Sequence, residues 1–273
     1  VGNVRNMRAM FRGAINFNQP LEQWNVGNVT NMQEMFRGAI RFNKPLENWE
    51  RENSTVGNVT NMQEMFRSAE AFNKPLEQWN VSNVNNMQGM FLNEYAFNQP
   101  LANWERDNST LGNVTNMRLM FFSASHFNQP LEQWNVSNVT NMQGMFSHAS
   151  AFNQPLEEWN VSNVTNMNGM FYGADAFDQP LRKWNVSNMP NMNDMFNPDY
   201  TTAYRPSVER SINRQKYQIA INQTQHPDEL SEPKAITKVL HNPLGERNLI
   251  EEYLDLGGKK GRKTKSKTKK QSK

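Results

Sequence analysis

The chain of 273 residues contains no cysteine. That removes disulfides, cysteine nucleophiles and thiolate metal sites, while leaving the compartment open. Histidine is scarce: His126, His148, His226 and His241 are the four present. No two of them stand in an i, i+4 pair, so no zinc site is expected. No apolar run reaches the ~18 residues that a spanning helix needs, so no transmembrane segment is expected. No Gly-rich loop precedes Lys-Ser/Thr, and no Gly-x-Ser-x-Gly occurs. Acidic pairs such as Glu157/Glu158 lie in polar links and read as a solvated rim. With no convergent constellation of reactive groups, the chain is not expected to be an enzyme. No cofactor, metal or small-molecule substrate is expected.

Acid is missing from one place in particular. Residues 259–273 hold nine Lys/Arg and no Asp or Glu, whereas the formal net charge of the whole chain is +3, leaving −6 for the rest. A one-signed block with Gly, Ser and Thr reads as a disordered tail. Three readings of it stay open: a solubilising end, an electrostatic contact with nucleic acid or an anionic surface, or a nuclear-type address. The tail has no aromatic residue, which argues against base stacking there.

What the chain does have is repetition. Trp24, Trp49, Trp79, Trp104, Trp134, Trp159 and Trp184 lie 25 or 30 residues apart. Eight Met-x-x-Met-Phe runs share the period, among them Met32/Met35/Phe36 and Met142/Met145/Phe146. A period in this range marks a stacked array whose recurring residues build the stack. Trp24 to Trp184, Met35, Phe36, Met145 and Phe146 are therefore expected core. Three asparagine columns, headed by Asn18, Asn28 and Asn31, are expected to satisfy backbone groups at the turns.

Met32, Met35, Phe36 and Ala39 read i, i+3, i+4, i+7, which predicts a short helix, with Thr30 and Gln33 as its capping box. Gly13, Gly38 and Gly173 read as helix ends. The Trp134-x-Val136-x-x-Val139 type of segment is β-prone and predicts a short strand. Repeats span residues 1–197, a helical segment covers 198–258 as a possible cap, and the basic tail is 259–273. Val1–Met10 matches Val26–Met35 with no preceding Trp, so further sequence upstream is expected, where a leader or lipid anchor would stand.

Function is expected where repeats differ. The residue after Met-Phe reads Arg12, Arg37, Arg67, Leu92, Phe122, Ser147, Tyr172, Asn197. It forms either a protein-binding stripe rich in Arg and aromatics or ordinary surface drift. Two five-residue inserts carrying Arg51 and Arg106 are expected to protrude and join that surface. Asn53 and Asn108 within them are the better candidates for glycosylation among many Asn-x-Ser/Thr sequons.

The unit NVSNVTNMxxMFxxAxxFNQPLxxW, as in Trp134–Met142 with Met145-Phe146 and Phe152-Asn153-Gln154, resembles the bacterial surface-protein repeat of roughly 26 residues. That family comprises BspA-like leucine-rich-repeat surface proteins and mycoplasma lipoproteins, with similar arrays in giant viruses and protists. The resemblance covers residues 1–197. It implies a leucine-rich-repeat-like right-handed solenoid of about eight units, a role in adhesion or protein binding, and no catalytic residues. It leaves two expectations: a surface- or virion-associated binding protein, or an intracellular scaffold whose tail touches nucleic acid. No cell-wall sorting signal is present.

Overall fold

The computed structural model describes residues 1–186, 188 and 190–196. The segment 198–258, its possible capping role and the tail 259–273 lie outside the described residues, as does Asn197. Each repeat bonds to the next in register, through single parallel bridges that run Asn6, Asn31, Asn61, Asn86, Asn116, Asn141, Asn166 and Asn191.

The expected short helix does not form. Among the described residues the regular elements are two single-turn 3-10 helices, Glu47–Trp49 and Ala102–Trp104. The Met-x-x-Met-Phe segment is instead a ladder of turns. In the second repeat Met32, Glu34, Phe36 and Gly38 donate their N–H groups to the carbonyls of Asn61, Gln63, Met65 and Arg67, at 2.8–3.0 Å. The alternate amides of Met35, Arg37 and Ala39 donate three residues back, to Met32, Glu34 and Phe36, at 3.0–3.2 Å. Gln33 N–H goes to the Asn31 side chain at 2.9 Å. Every amide from Met32 to Ala39 is thus satisfied without a helix, as a buried backbone requires.

This pattern needs the chain to reverse its twist twice per repeat. Positive φ recurs at Ala9, Glu34, Glu64, Gly89, Leu119, Gly144, Gly169 and Asp194. It recurs again four residues on, at Gly13, Gly38, Ser68, Asn93, Ser123, His148 and Gly173. The glycines read as helix ends therefore serve left-handed positions, which cost a side-chain-bearing residue roughly 1–2 kcal/mol. The capping box fails for the same reason. Thr30 Oγ1 bonds the Arg5 carbonyl of the preceding repeat, and the cap-like contact comes from Asn31 instead.

The expected strand at Trp134–Val139 is also absent. Val139 N–H returns to the Val136 carbonyl at 2.9 Å, which makes a turn, and the parallel pairing falls on the next asparagine column instead. The columns themselves do stack. Phe11, Phe36, Phe66, Phe91, Phe121, Phe146, Phe171 and Phe196 follow one another with ring centroids 5.5–5.8 Å apart. A second phenylalanine column leans on the first in seven repeats, as with Phe36–Phe42 at 4.2 Å. The tryptophans from Trp49 to Trp184 are buried and Trp24 is half-buried. Each of the six buried indoles donates Nε1–H to the leucine carbonyl of the preceding repeat, for example Trp104 to Leu76 at 2.8 Å.

Asparagine closes the remaining gaps. Asn43 N–H donates to Asn18 Oδ1 and Asn73 N–H to Asn43 Oδ1, a chain that continues to Asp178. Asn58 Nδ2 donates to the Gly27 carbonyl at 2.7 Å, and its equivalents do likewise. This last column is exposed in several repeats rather than inward, yet it does the satisfying work expected of it.

One residue breaks its column. The core position held by Ala39, Ala69, Ala124, Ala149 and Ala174 is Glu94 in the fourth repeat, and Glu94 is fully buried. Neither of its carboxyl oxygens has a hydrogen-bond partner. Burial pushes its carboxyl up to about 9; the Ala96 backbone amide, close by but outside hydrogen-bond geometry, offsets part of this and the Glu70 carboxylate adds to it.

Candidate protein-binding face

The register of the stack brings the residues after Met-Phe side by side, because each follows a stacked phenylalanine. Arg12 is exposed, Arg37, Arg67, Phe122 and Tyr172 are half-buried, and Leu92 and Ser147 are buried at 7% and 5% exposure. Leu92 therefore packs under the face and does not offer a contact.

The basic end of the stripe is not a bare row of arginines. Arg12 and Arg37 both reach Glu34, at 2.9 and 3.1 Å. Arg37 and Arg67 both reach Glu64, at 2.8 and 2.9 Å. The carboxylates lie beneath, with side-chain exposure of 8% and 12%, against 52%, 29% and 32% for the three arginines. Glu34 and Glu64 occupy left-handed positions, so their place in the ladder aims them under the guanidinium groups. Sequence reasoning missed these two acids. The signal was there, since Arg37 and Arg67 each follow a Glu by three residues.

The other end is aromatic. His148 meets Phe122 and Tyr172 edge-on, with ring centroids 5.6 and 5.4 Å away and both interplanar angles at 73°. Gly173 leaves room for that imidazole: a Cβ there would stand 2.5 Å from His148 Nδ1. His148 was read only as a poor zinc ligand, yet it joins the two rings into one strip.

The inserts are held by local and inter-repeat bonds. Arg51 and Ser54 pair with each other through both backbone bonds, at 2.7 and 3.0 Å, and Arg106 and Ser109 repeat the pattern at 2.8 and 3.0 Å. Arg51 spends its guanidinium on the Glu22 and Gln23 carbonyls, and Arg106 spends its own on Glu77, Asn103 and Gln78. Ser54 and Ser109 are buried and accept the N–H groups of Val26 and Val81. Glu50 and Glu105 each accept two backbone amides, from Val56 and Asn80 and from Leu111 and Asn135. Each insert is fastened to the preceding repeat, with the guanidinium groups of exposed Arg51 and half-buried Arg106 engaged by backbone carbonyls. Asn53 and Asn108 are exposed at the tips. The other sequon asparagines in the column of Asn58, Asn113, Asn138 and Asn163 have Nδ2 engaged with a carbonyl.

Among the described residues no group of three or more His, Asp or Glu is placed to hold a metal ion, and no helix is long and apolar enough to cross a membrane. No curated protein matches the chain. A family model does match, three times in tandem, over residues 1–56, 52–111 and 107–206. Those matches span most of the chain and follow the repeats described above: the chain belongs to the repeat family described as Mycoplasma protein of unknown function, DUF285.

Proposed function

We propose that this chain is a non-enzymatic protein-binding or adhesion array, displayed at a cell or virion surface, of the BspA-like leucine-rich-repeat kind. In this reading the repeats wind as a right-handed solenoid, and the stripe from Arg12 to Tyr172 is the contact face. One observation carries it. Where a column builds the stack, its residue type is kept from repeat to repeat, as with the indole-to-carbonyl bonds of six tryptophans. The stripe instead changes from ion-paired arginine to an aromatic cluster while keeping its register. Arg and aromatic side chains on a rigid frame lose little conformational freedom on binding, which favours them as interface anchors. Photo-cross-linking tests the reading. The full chain with a photoreactive phenylalanine analogue at Tyr172, mixed with cell-surface and matrix protein preparations, is expected to yield a discrete protein adduct. The analogue at exposed Gln133 is expected to yield none. Identical adducts at both sites, no adduct at Tyr172, or a Tyr172 adduct indifferent to Phe122→Ala would sink the stripe.

A further inference from the structure

We infer that the stripe takes an extended acidic segment of a protein partner, with an aromatic or leucine residue about five residues from its carboxylates. The inference rests on the protein-binding reading above and adds the partner's chemistry. Three observations lead to it.

The first is charge layering. Arg8, Arg12, Arg37 and Arg67 lie over Glu34 and Glu64, four cations against two anions, and the anions are the buried layer. A ligand approaching the face meets guanidinium groups first.

The second is donor geometry. Arg12, Arg37 and Arg67 make their ion pairs through Nη1 alone. Each keeps the Nη2 and Nε edge, the side that receives a carboxylate bidentately. The buried glutamates hold those forks in place, so less side-chain freedom is lost when a carboxylate docks.

The third is spacing. The stacked rings that carry the stripe step by 5.5 Å in the first three repeats. An extended chain places same-side side chains ~6.7 Å apart, about 1 Å more per step, which the rotatable carboxylate side chains of the ligand absorb over three repeats. From Arg37 to Phe122 is three steps, or ~17 Å, which about five extended residues cover. There the Phe122–His148–Tyr172 cluster offers an apolar, aromatic seat. A basic partner is disfavoured by the outer arginines, and a purely apolar one leaves them without counter-charge.

The test is fluorescence anisotropy with the full chain and a labelled dodecapeptide that alternates Glu with Ser and ends in Trp-Leu. Its companions have Lys for Glu, Ser-Ser for Trp-Leu, or the sequence reversed. The Glu peptide, in one of its two directions, is expected to bind about tenfold tighter than the Lys peptide and to weaken with added salt. Arg12→Gln with Arg67→Gln, which leaves Arg37 on both glutamates, is expected to weaken it about fivefold to tenfold. Phe122→Ala with Tyr172→Ala is expected to weaken the Trp-Leu peptide and leave the Ser-Ser peptide unchanged. Melting curves of both double variants separate lost binding from lost fold. Equal binding of the Glu and Lys peptides, binding indifferent to the arginine variant, or no binding of any peptide would overturn the acidic partner. If the Tyr172 adduct of the cross-linking experiment survives that outcome, the face stands with a partner of other chemistry; if it too is missing, both readings fall.

Discussion

Replacing Glu94 with alanine is expected to raise the melting temperature at pH 7 by about 5–10 °C, at roughly 2–4 °C per kcal/mol for an array of this size. The position is alanine in six other described repeats, buried in five of them and half-buried at Ala14, so the stack already accommodates the smaller side chain. Glu94 is costly as it stands, because burial pushes its carboxyl from 4.5 to about 9 and neither oxygen is hydrogen-bonded. A carboxyl raised on folding takes up a proton as the chain folds. Its cost is absent below the unfolded pKa of 4.5 and grows as pH rises toward about 9. At pH 7 the difference amounts to about 3 kcal/mol, at 1.36 kcal/mol per pKa unit. The native chain should therefore lose stability steadily from pH 5 to pH 8 in scanning calorimetry. Glu94→Ala should flatten that slope, with a gain that grows from pH 5 to pH 8, and Glu94→Gln should flatten it while keeping the shape of the side chain. A Glu94→Ala protein that melts at or below the native temperature at pH 7 would refute this account of the position.

The second large effect is expected at Trp104. Its indole is fully buried, stacks on Trp134 at 5.8 Å and donates to the Leu76 carbonyl at 2.8 Å. Trp104→Ala removes a large buried side chain, at about 3–5 kcal/mol, and strands a carbonyl in the core, at about 1–3 kcal/mol more. Because stability in an array is shared between neighbours, the loss should loosen the repeats on both sides. Trp104→Phe keeps most of the ring contact and loses the hydrogen bond, so a cost of about 1–2 kcal/mol is expected. Trp24→Ala should cost much less than Trp104→Ala, since Trp24 is only half-buried. Denaturant titrations of the three variants give the order. Equal losses at Trp24 and Trp104 would contradict the idea that the indoles act by bridging repeats.

The period, the tryptophan and phenylalanine columns and the role of the asparagines were legible in the sequence, because each residue type recurs at a fixed spacing. The local backbone was not. Met32, Met35, Phe36 and Ala39 are all buried, and that i, i+3, i+4, i+7 pattern suits a helix and a ladder of turns alike. What distinguishes them is the company at positions 34 and 38. Gly89, Gly144 and Gly169 fill the first column and Gly13, Gly38 and Gly173 the second, with Asn93, Ser68 and Ser123 as residues that tolerate turns. Two glycine-rich columns four residues apart disfavour a helix, by about 1 kcal/mol for each glycine, and the second column taken alone reads as helix ends.

The candidate face was legible in part. Its residues were identified from their variability, but their pairing was hidden, because Glu34 serves Arg12 in a different repeat as well as Arg37 in its own. Arg51 and Arg106 looked like displayed charges in polar loops. Their partners are backbone carbonyls about thirty residues earlier, at Glu22, Gln23, Glu77 and Gln78, which only the stacking register brings near. Glu94 departs from the alanine of its column, and its burial gives that departure its cost.

Each repeat is joined to the next through the alternate amides of its Met-x-x-Met-Phe segment. The most direct test is scalar coupling across hydrogen bonds by NMR on the labelled full chain. Coupling is expected from the Phe66 amide nitrogen to the Met90 carbonyl carbon, and from Glu64 to Gln88, matching bonds of 2.9 and 2.8 Å. Coupling from Phe66 back to the Met62 carbonyl, the signature of an α-helical turn, would contradict it.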